Sequence, residues 1–336
     1  MKVVIDFRIT YINDEALRMF TWEFWQDMAL SQPGHDFIFI TDQKIAQEPV
    51  GNVYLKRLKK TAVRWIDQNR LKKMLIEWQA DRFITIQETG FITSNHFRNK
   101  EYKKESAQPG KQVLFTGDTQ QEPPAAPQPA ITAIRPALRE VITSLSWAEA
   151  EAIKTQYTGG RSFFLFTGDI SERHRLIELL KAFSLFKKWQ LSNMQLVIAG
   201  SVSKWTEVFE EKLSAYKYRP DTVLLKNISN AEIAKLAAAS YALVYPVAAN
   251  VFPVALLWAV QGNKAIIATD NKMNRQLTGA AAWVEDNNTI EGFAKAMILL
   301  YKDENQQQLL VQQTKELAKQ FDRQQMLAAA WQCIEQ

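Results

Sequence analysis

Few of the side chains that usually do chemistry occur in this sequence. The chain of 336 residues has one cysteine, Cys333, and three histidines, His35, His96 and His174. A single cysteine cannot build an intrachain disulfide framework or a cysteine-rich zinc site, and three scattered histidines leave little for a metal cluster. We therefore expect no bound metal and no cofactor, and we interpret Cys333 as a helix residue without a chemical role.

Glycine content and net charge narrow the function classes further. The 12 glycines amount to about half of the roughly 7% that is usual, and proteins that hold phosphates on glycine-rich loops usually have more. The net charge of +5 comes from 41 basic and 36 acidic residues, an excess too mild to indicate nucleic acid as a partner. With 47% hydrophobic and 23% charged residues, the chain is neither wholly disordered nor collagen-like.

The first part of the chain alternates strand-like and helix-like segments. The strand patterns cover residues 3–7, 37–41, 53–58 and 83–86. The helix patterns cover residues 15–30 and 61–80, and we interpret the Met, Trp and Phe side chains of the first helix as core. This alternation predicts βαβ units and a parallel sheet.

The middle of the chain has a different composition. Residues 93–105 are polar and basic, and we interpret Lys100, Lys103 and Lys104 as a solvated loop, with binding of an anionic membrane or an acceptor as the alternative. More than half of the 11 prolines lie between residues 109 and 136. Because proline fixes φ and donates no backbone hydrogen bond, this stretch predicts an extended linker or exposed loop.

From residue 161 onward the alternation returns and predicts a second domain. We expect strands at 163–167, 195–199, 223–225, 241–245, 265–269 and 281–284. Ser171 is predicted to cap the helix that follows the first of these strands, and Ser229 with Glu232 forms a capping-box pattern. The expected organisation is a Rossmann-like domain over 1–158 with a Pro-rich loop at 119–136, a second over 159–320, and a helix at 321–336 that packs back on the first domain.

The N-terminal run and one uncharged stretch bear on location. Val3–Phe7 is short and closed by Asp6 and Arg8, which favours a first strand over a targeting core. The uncharged stretch 236–263 contains two prolines and many alanines, so we interpret it as a helix end, a buried strand and a buried helix. The expected location is cytoplasmic without a transmembrane segment, and peripheral association with the inner face of the membrane is a further option.

Four runs in the second half occur in a recognisable order. They are a strand ending in glycine, a helix with a basic start and an Ala-Phe end, an apolar strand ending in glycine, and a strand ending in proline: Phe163–Gly168, Arg173–Phe183, Leu196–Gly200 and Tyr241–Pro246. With these runs, the chain from about residue 131 resembles bacterial group 1 (family 4) glycosyltransferases. In the first half, residues 4–8 and 37–42 resemble the first two strands of that family. The resemblance implies a GT-B fold, in which two Rossmann-like domains face each other across a cleft.

The resemblance also implies a reaction and a set of donor contacts. In this family a nucleotide sugar binds mostly to the C-terminal domain, and the glycosyl group passes to a glycan or glycoconjugate acceptor with retention at the anomeric carbon, without a metal. An Arg-Lys pair neutralises the diphosphate, a Gly-Phe-Gly run lets the backbone approach the sugar, and a Glu-x7-Glu signature contacts sugar and ribose. The donor and diphosphate positions of this chain are then Gly168, Arg173, His174, Gly200, Val251 and Phe252.

The chain departs from the family pattern at these positions. Asn250 replaces the first, catalytic Glu, and Trp258 replaces the second Glu at the ribose position. Because an indole accepts no hydrogen bond from a ribose diol, Trp258 is predicted to plug that position. Pro253 replaces a glycine and lacks an N–H, and His174 replaces the lysine but adds charge only when it is protonated.

Each of these positions also has a purely structural interpretation. The two glycines, Gly168 and Gly200, need only permit the turns after their strands. The basic run 173–175 can be a solvated helix start, and Asn250 can be an ordinary loop residue.

Two functional hypotheses remain open at this point. One is a divergent, retaining glycosyltransferase that uses a nucleotide sugar for polysaccharide or glycoconjugate assembly. The other is a pseudoenzyme that keeps the scaffold and works with a protein partner. A different α/β ligand-binding protein is a third interpretation, which the order of the strands argues against.

Overall fold

The computed structural model of this chain has two β-sheets, each in its own unit. Unit 1 comprises Met1–Arg135 together with Arg323–Gln336, and unit 2 comprises Pro136–Asp322. The structure describes residues 1–8, 14–42, 51–58, 64–86, 91–96, 112–115, 131–247, 252–285 and 289–335. Both sheets carry parallel strands connected by helices, which confirms the predicted α/β class.

Unit 1 is built on a seven-stranded sheet. Its strands are β1 (Lys2–Asp6), β2 (Asp36–Thr41), β3 (Val53–Arg57), β4 (Arg82–Ile86), β5 (Phe91–His96), β6 (Gln112–Phe115) and β7 (Ile131–Ile134). The order across the sheet is β3-β2-β1-β4-β5-β6-β7, and β5 runs antiparallel to both of its neighbours. Two helices, α1 (Glu15–Ser31) and α2 (Arg64–Glu77), follow β1 and β3 along the chain.

Aromatic packing holds α1 on this sheet. The ring of Trp22 lies 5.0 Å from the ring of Phe7, directly after β1, and 5.0 Å from the ring of Phe39 within β2. Asp14 caps the helix by accepting a hydrogen bond from the Leu17 N–H at 2.8 Å. The aromatic side chains that the sequence assigns to the core of this helix are buried, as expected for large apolar surfaces.

Unit 2 has a six-stranded sheet that is parallel throughout. Its strands are β8 (Phe163–Thr167), β9 (Gln195–Gly200), β10 (Thr222–Lys226), β11 (Ala242–Tyr245), β12 (Ala265–Thr269) and β13 (Ala282–Glu285), in the order β10-β9-β8-β11-β12-β13. Its helices are α3 (Trp147–Thr158), α4 (Leu176–Gln190), α5 (Thr206–Ser214), α6 (Asn230–Ala239), α7 (Val254–Gln261), α8 (Lys272–Thr278), α9 (Ile290–Lys302) and α10 (Glu304–Ala318). The central strands are fully buried and apolar, which is typical of a parallel sheet covered on both faces.

Two capping boxes fix helix starts in unit 2. At the start of α6, Ser229 accepts from the Glu232 N–H while Glu232 accepts from the Ser229 N–H, as the sequence predicted. Ser146 and Glu149 form the same arrangement at α3. The predicted cap at Ser171 is wrong, because α4 begins only at Leu176 and the Ser171 hydroxyl bonds elsewhere.

Segment 136–158, which the sequence assigns to the first domain, belongs to unit 2. Its helix α3 packs against α6. The Leu138 N–H donates to the side chain of Gln261 at 2.8 Å, and the Asn263 side chain donates to the Thr143 carbonyl at 2.9 Å. The unit boundary therefore lies at residue 135, because side chains from the far end of α7 satisfy the backbone of this segment.

The last helix, α11 (Arg323–Glu335), packs on unit 1. Trp331 lies against His35 and Phe37, with ring centroids 4.9 and 6.1 Å away. Arg82 of β4 donates to the carbonyls of Ile334 and Glu335 at 2.7 and 2.9 Å. A cation at a helix C-terminus pairs with its free carbonyls and its dipole, so Arg82 anchors the end of α11.

We expect Arg82→Gln to lower the unfolding free energy of unit 1 by about 1.5–3 kcal/mol, the usual contribution of hydrogen bonds to a charged group. Urea unfolding followed by circular dichroism measures the change. Arg70→Gln, at an exposed arginine of α2, is the matched control and should leave stability nearly unchanged. Equal effects of the two substitutions would show that Arg82 does not anchor α11.

None of the helices in the described part of the chain combines the length and the apolar character needed to cross a bilayer. The uncharged stretch instead contains β11 and α7, and every residue of α7 is buried within unit 2. Cys333 is a buried residue of α11.

Candidate functional site

The carboxyl ends of β8 and β11 are the expected binding place of unit 2. These two strands are neighbours in the sheet. The chain continues from β8 to β9, towards one edge of the sheet, and from β11 to β12, towards the other edge. Ligands of open α/β sheets bind at such a reversal, outside the carboxyl ends of the strands. The candidate site among the described residues therefore comprises loop 168–175 after β8 and residues 246–247 and 252–253 after β11. Residues 248–251, which include Asn250 and Val251, lie outside the described residues.

Gly168 follows β8, and Gly200 is the last residue of the neighbouring strand β9. The two glycines are in close contact. A Cβ on Gly200 would lie 1.6 Å from the Gly168 carbonyl oxygen. Gly168 has a φ of +143°, a conformation that L side chains rarely adopt. Its N–H donates to the Ala199 carbonyl at 3.2 Å. At both glycines, the close approach that the structure requires is therefore between two backbone segments of unit 2.

His174 is buried and neutral. Only 1% of its surface is exposed, and its Nδ1 lies 2.7 Å from the Ser171 hydroxyl oxygen. Burial, with a smaller effect of the neighbouring Arg173 guanidinium, lowers the pKa of His174 to about 3, against a hydrogen bond to the Asp169 backbone that raises it. His174 therefore brings no positive charge to this loop near neutral pH, and a base this weak cannot activate Ser171 as a nucleophile.

Arg173 forms an ion pair inside the same loop. Its guanidinium nitrogen lies 3.3 Å from Oδ2 of Asp169, whose side chain is nearly buried. The Arg173 side chain is about one quarter exposed. The cation predicted to meet a diphosphate is therefore already in contact with a carboxylate four residues before it.

Arg175 stands at the junction between this loop and α4. Its φ of +54° is in the left-handed region, which costs a side chain other than glycine about 1 kcal/mol. Its Nε lies 3.9 Å from Oε1 of Glu178. Both residues line a shallow surface depression together with Pro246 and with Thr289, Ile290 and Phe293 at the start of α9. The Arg175 side chain is about one quarter exposed, as is that of Arg173.

Phe252 and Trp258 are both core side chains of unit 2. Phe252 is 2% exposed, and its carbonyl accepts from the Val254 N–H at 3.0 Å. Trp258 is 5% exposed, and its carbonyl accepts from the Gly262 N–H at 2.9 Å. A tryptophan buried in a helix that is itself buried throughout contributes apolar packing, and its role as a plug of a ribose position stays a prediction.

In unit 1 the corresponding sheet edge carries a buried ion pair. Arg8 donates from Nε to Oδ1 of Asp6 at 2.9 Å and from a terminal nitrogen to Oδ2 at 2.7 Å. Both residues are fully buried. A charged pair removed from water in this way is stable only with good geometry, which the two-point contact supplies.

The structure describes no metal centre in the parts of the chain that it covers. Among those residues, no group of three or more His, Cys, Asp or Glu side chains converges as metal ligands would.

Asp169 and Ser171 are the site residues that the sequence analysis missed. Asp169 directly follows Gly168, and the sequence analysis gave it no role. The spacing of four residues between Asp169 and Arg173 was the available signal for their ion pair. Ser171 and His174 are three residues apart in the sequence, a spacing that also places two side chains together on one turn of a helix.

Comparison with known proteins identifies the architecture. A model of the family "Glycosyl transferases group 1" matches residues 148–317, half of the chain. Among curated proteins no match is found.

Solved structures resemble the chain over its whole length. WaaG, a glycosyltransferase involved in lipopolysaccharide biosynthesis, has a TM-score of 0.76 at 13% identity, with 99% of each chain covered. HepE from Anabaena, in complex with UDP and glucose, has a TM-score of 0.71 at 10% identity over 100% of this chain and 99% of its own. A glycosyltransferase from Rickettsia africae has a TM-score of 0.71 at 12% identity, covering 99% and 97%.

These structures are glycosyltransferases of the GT-B fold, so the predicted fold is confirmed. At such low identity the structural likeness establishes the fold alone. The family follows from the sequence match, which spans α3 to α10 and so includes the loops after β8 and β11. This chain therefore belongs to the group 1 glycosyltransferases.

Proposed function

We propose that this chain is a divergent group 1 glycosyltransferase with a degenerate donor site, which binds common nucleotide sugars weakly or not at all. The observation that carries the proposal is the cancellation of charge in loop 168–175. Arg173 is paired with Asp169 at 3.3 Å, and His174 is buried with its pKa lowered to about 3. A diphosphate needs fixed positive charge, and this loop offers little of it.

The backbone of the same loop supports the proposal. Anion sites at strand-to-helix turns depend on N–H groups that point at the ligand. Here the Gly168 N–H donates to Ala199, and the Ile170 N–H donates to Ser201 at 2.8 Å. The N–H groups of His174 and Arg175 donate back to Ser171 and Glu172 within the loop. These donors are committed to the protein's own carbonyls.

In this interpretation the chain acts as a scaffold that works with a protein partner. Asn250 and Trp258 each replace a carboxylate of the family pattern, and Val251 adds a side chain in place of a glycine. All three replacements remove or obstruct donor contacts. A fold retained over the whole chain without its donor contacts is suited to binding another protein.

The second candidate is an active, retaining transfer from a nucleotide sugar to a glycan acceptor, without a metal or other cofactor. It is favoured by the whole-length similarity to HepE, whose solved structures contain UDP, UDP with glucose and UDP-glucose. Arg175, whose side chain is about one quarter exposed, would then supply one cation near the donor, and the resemblance implies that Asn250 and the backbone at Phe252 lie beside the sugar.

Isothermal titration with UDP, GDP, ADP and their common sugar conjugates tests the proposal. We expect no heat of binding up to about 1 mM ligand, which corresponds to a binding free energy weaker than about −4 kcal/mol. HepE titrated with UDP serves as the positive control. A micromolar Kd for any nucleotide would favour the active transferase and would justify an acceptor screen with that donor.

Both candidates share one expectation about location. We propose a cytoplasmic protein that associates peripherally with the inner face of the membrane, where glycan acceptors are assembled. Fractionation of cells, followed by a high-salt wash of the membrane pellet, checks this expectation. Protein that stays entirely in the supernatant before the wash would contradict the peripheral association.

A further inference from the structure

Asp169 is placed where it controls the charge of loop 168–175. It follows the glycine that ends β8, at the strand reversal where ligands of such sheets bind. Only 6% of the residue is exposed, so its carboxylate is largely shielded from water. Charges interact more strongly in such surroundings than in bulk solvent.

The carboxylate of Asp169 and a phosphate compete for the same partner. A guanidinium binds carboxylate and phosphate groups with the same fork of N–H donors. The Asp169 carboxylate lies 3.3 Å from the Arg173 guanidinium, so a diphosphate must either displace it or share the cation with it. In the second case the two anions also repel each other.

We propose that Asp169 is the residue that excludes diphosphate from this loop, by holding Arg173 in an internal ion pair and by repelling the incoming anion. This inference rests on the proposed degenerate donor site and names the side chain responsible for it. The ligand class that Asp169 excludes is a diphosphate, free or as part of a nucleoside diphosphate.

The loop is built to keep its shape when this carboxylate is neutralised. Its backbone hydrogen bonds join Gly168 to β9 and Ile170 to the residue after β9, and they join Ser171, His174 and Arg175 to carbonyls within the loop. None of these bonds uses the Asp169 side chain. Because asparagine and aspartate have nearly the same size, Asp169→Asn changes the charge of the loop with little change in its packing.

The experiment is isothermal titration of Asp169→Asn with inorganic pyrophosphate and with UDP. We expect Asp169→Asn to bind both ligands with an affinity at least tenfold higher than that of the native chain. The double variant Asp169→Asn/Arg173→Gln should lose this gain in affinity. Asp270→Asn is the matched control, because Asp270 directly follows β12 of the same sheet and pairs with Arg275. Circular dichroism checks folding, and Asp169→Ala serves where Asp169→Asn does not fold.

The outcomes separate this inference from the proposed function. No gain in either Asp169 variant, or an equal gain in Asp270→Asn, overturns the role of Asp169 and leaves the degenerate site standing. A micromolar Kd for UDP in the native chain overturns the degenerate donor site. In that case the ratio of the two Kd values, native chain against Asp169→Asn, still tests whether Asp169 excludes diphosphate. A gain for pyrophosphate but not for UDP supports diphosphate exclusion and places the obstacle to nucleosides elsewhere.

Discussion

Replacing Gly200 with alanine should lower the unfolding free energy of unit 2 by about 3 kcal/mol or more, at the upper end of what overpacking a close contact costs. The new Cβ would be fixed to the backbone of Gly200 and would lie 1.6 Å from the Gly168 carbonyl oxygen, which is itself a backbone atom. Neither can retreat easily, because β8 and β9 pair in register up to Thr167 and Ala199 and the Gly168 N–H is bonded to Ala199.

Urea unfolding followed by circular dichroism measures this effect. Gly34→Ala is the matched control, since a Cβ on Gly34 meets no atom within 4 Å. We expect that control to change stability by no more than about 0.5 kcal/mol, as for most surface substitutions. If Gly200→Ala were as mild as Gly34→Ala, the close contact between the two strand ends would be wrong, and Gly200 would again be open to a ligand-binding role.

The buried state of His174 should make unit 2 sensitive to mild acid. The folded-state pKa of about 3 lies below the ordinary value of 6.5. Between these two values the unfolded chain binds a proton that the folded chain excludes, so stability is lost as the pH falls through this window. At about 1.4 kcal/mol per pH unit, the loss between pH 7 and pH 5 amounts to about 2 kcal/mol.

Comparison of the native chain with His174→Gln isolates this contribution. Carboxylates and the other histidines titrate in both proteins, so their effects cancel in the difference between the two pH profiles. We expect the variant to be less stable at pH 7, because it loses the ring's contact with Ser171, but to lose about 2 kcal/mol less between pH 7 and pH 5. Parallel profiles would mean that His174 titrates normally and is accessible to a proton.

The sequence predicts the sheets of this protein better than it predicts the candidate site. Strands such as Phe163–Thr167 and Gln195–Gly200 are continuous apolar runs, because a parallel sheet is buried on both faces. The capping box at Ser229 is visible for a similar reason, since its signal lies within four residues. The strand Phe91–His96 was missed because most of its residues are polar, and pairing with β4 decides its structure.

The charge state of the site could not be predicted from residue types. Arg173 and His174 look like two cations in the sequence, yet one is paired with Asp169 and the other is kept neutral by burial. Both outcomes depend on how the loop after β8 folds onto itself and against β9. The role of Gly200 could not be predicted either. A glycine at the end of a strand allows close approach of a ligand or of a neighbouring backbone segment, and the sequence does not show which of the two is there.

The return of α11 to unit 1 has a consequence for protein synthesis. Residues near the start of the chain, His35 and Phe37, contact Trp331, and Arg82 contacts the end of the same helix. During translation the whole of unit 2 leaves the ribosome before α11 does, so unit 1 must wait for its last helix while unit 2 can complete itself from a continuous segment. Nascent chains stalled at residue 322 should therefore expose the aromatic surface of unit 1 to chaperones and proteases.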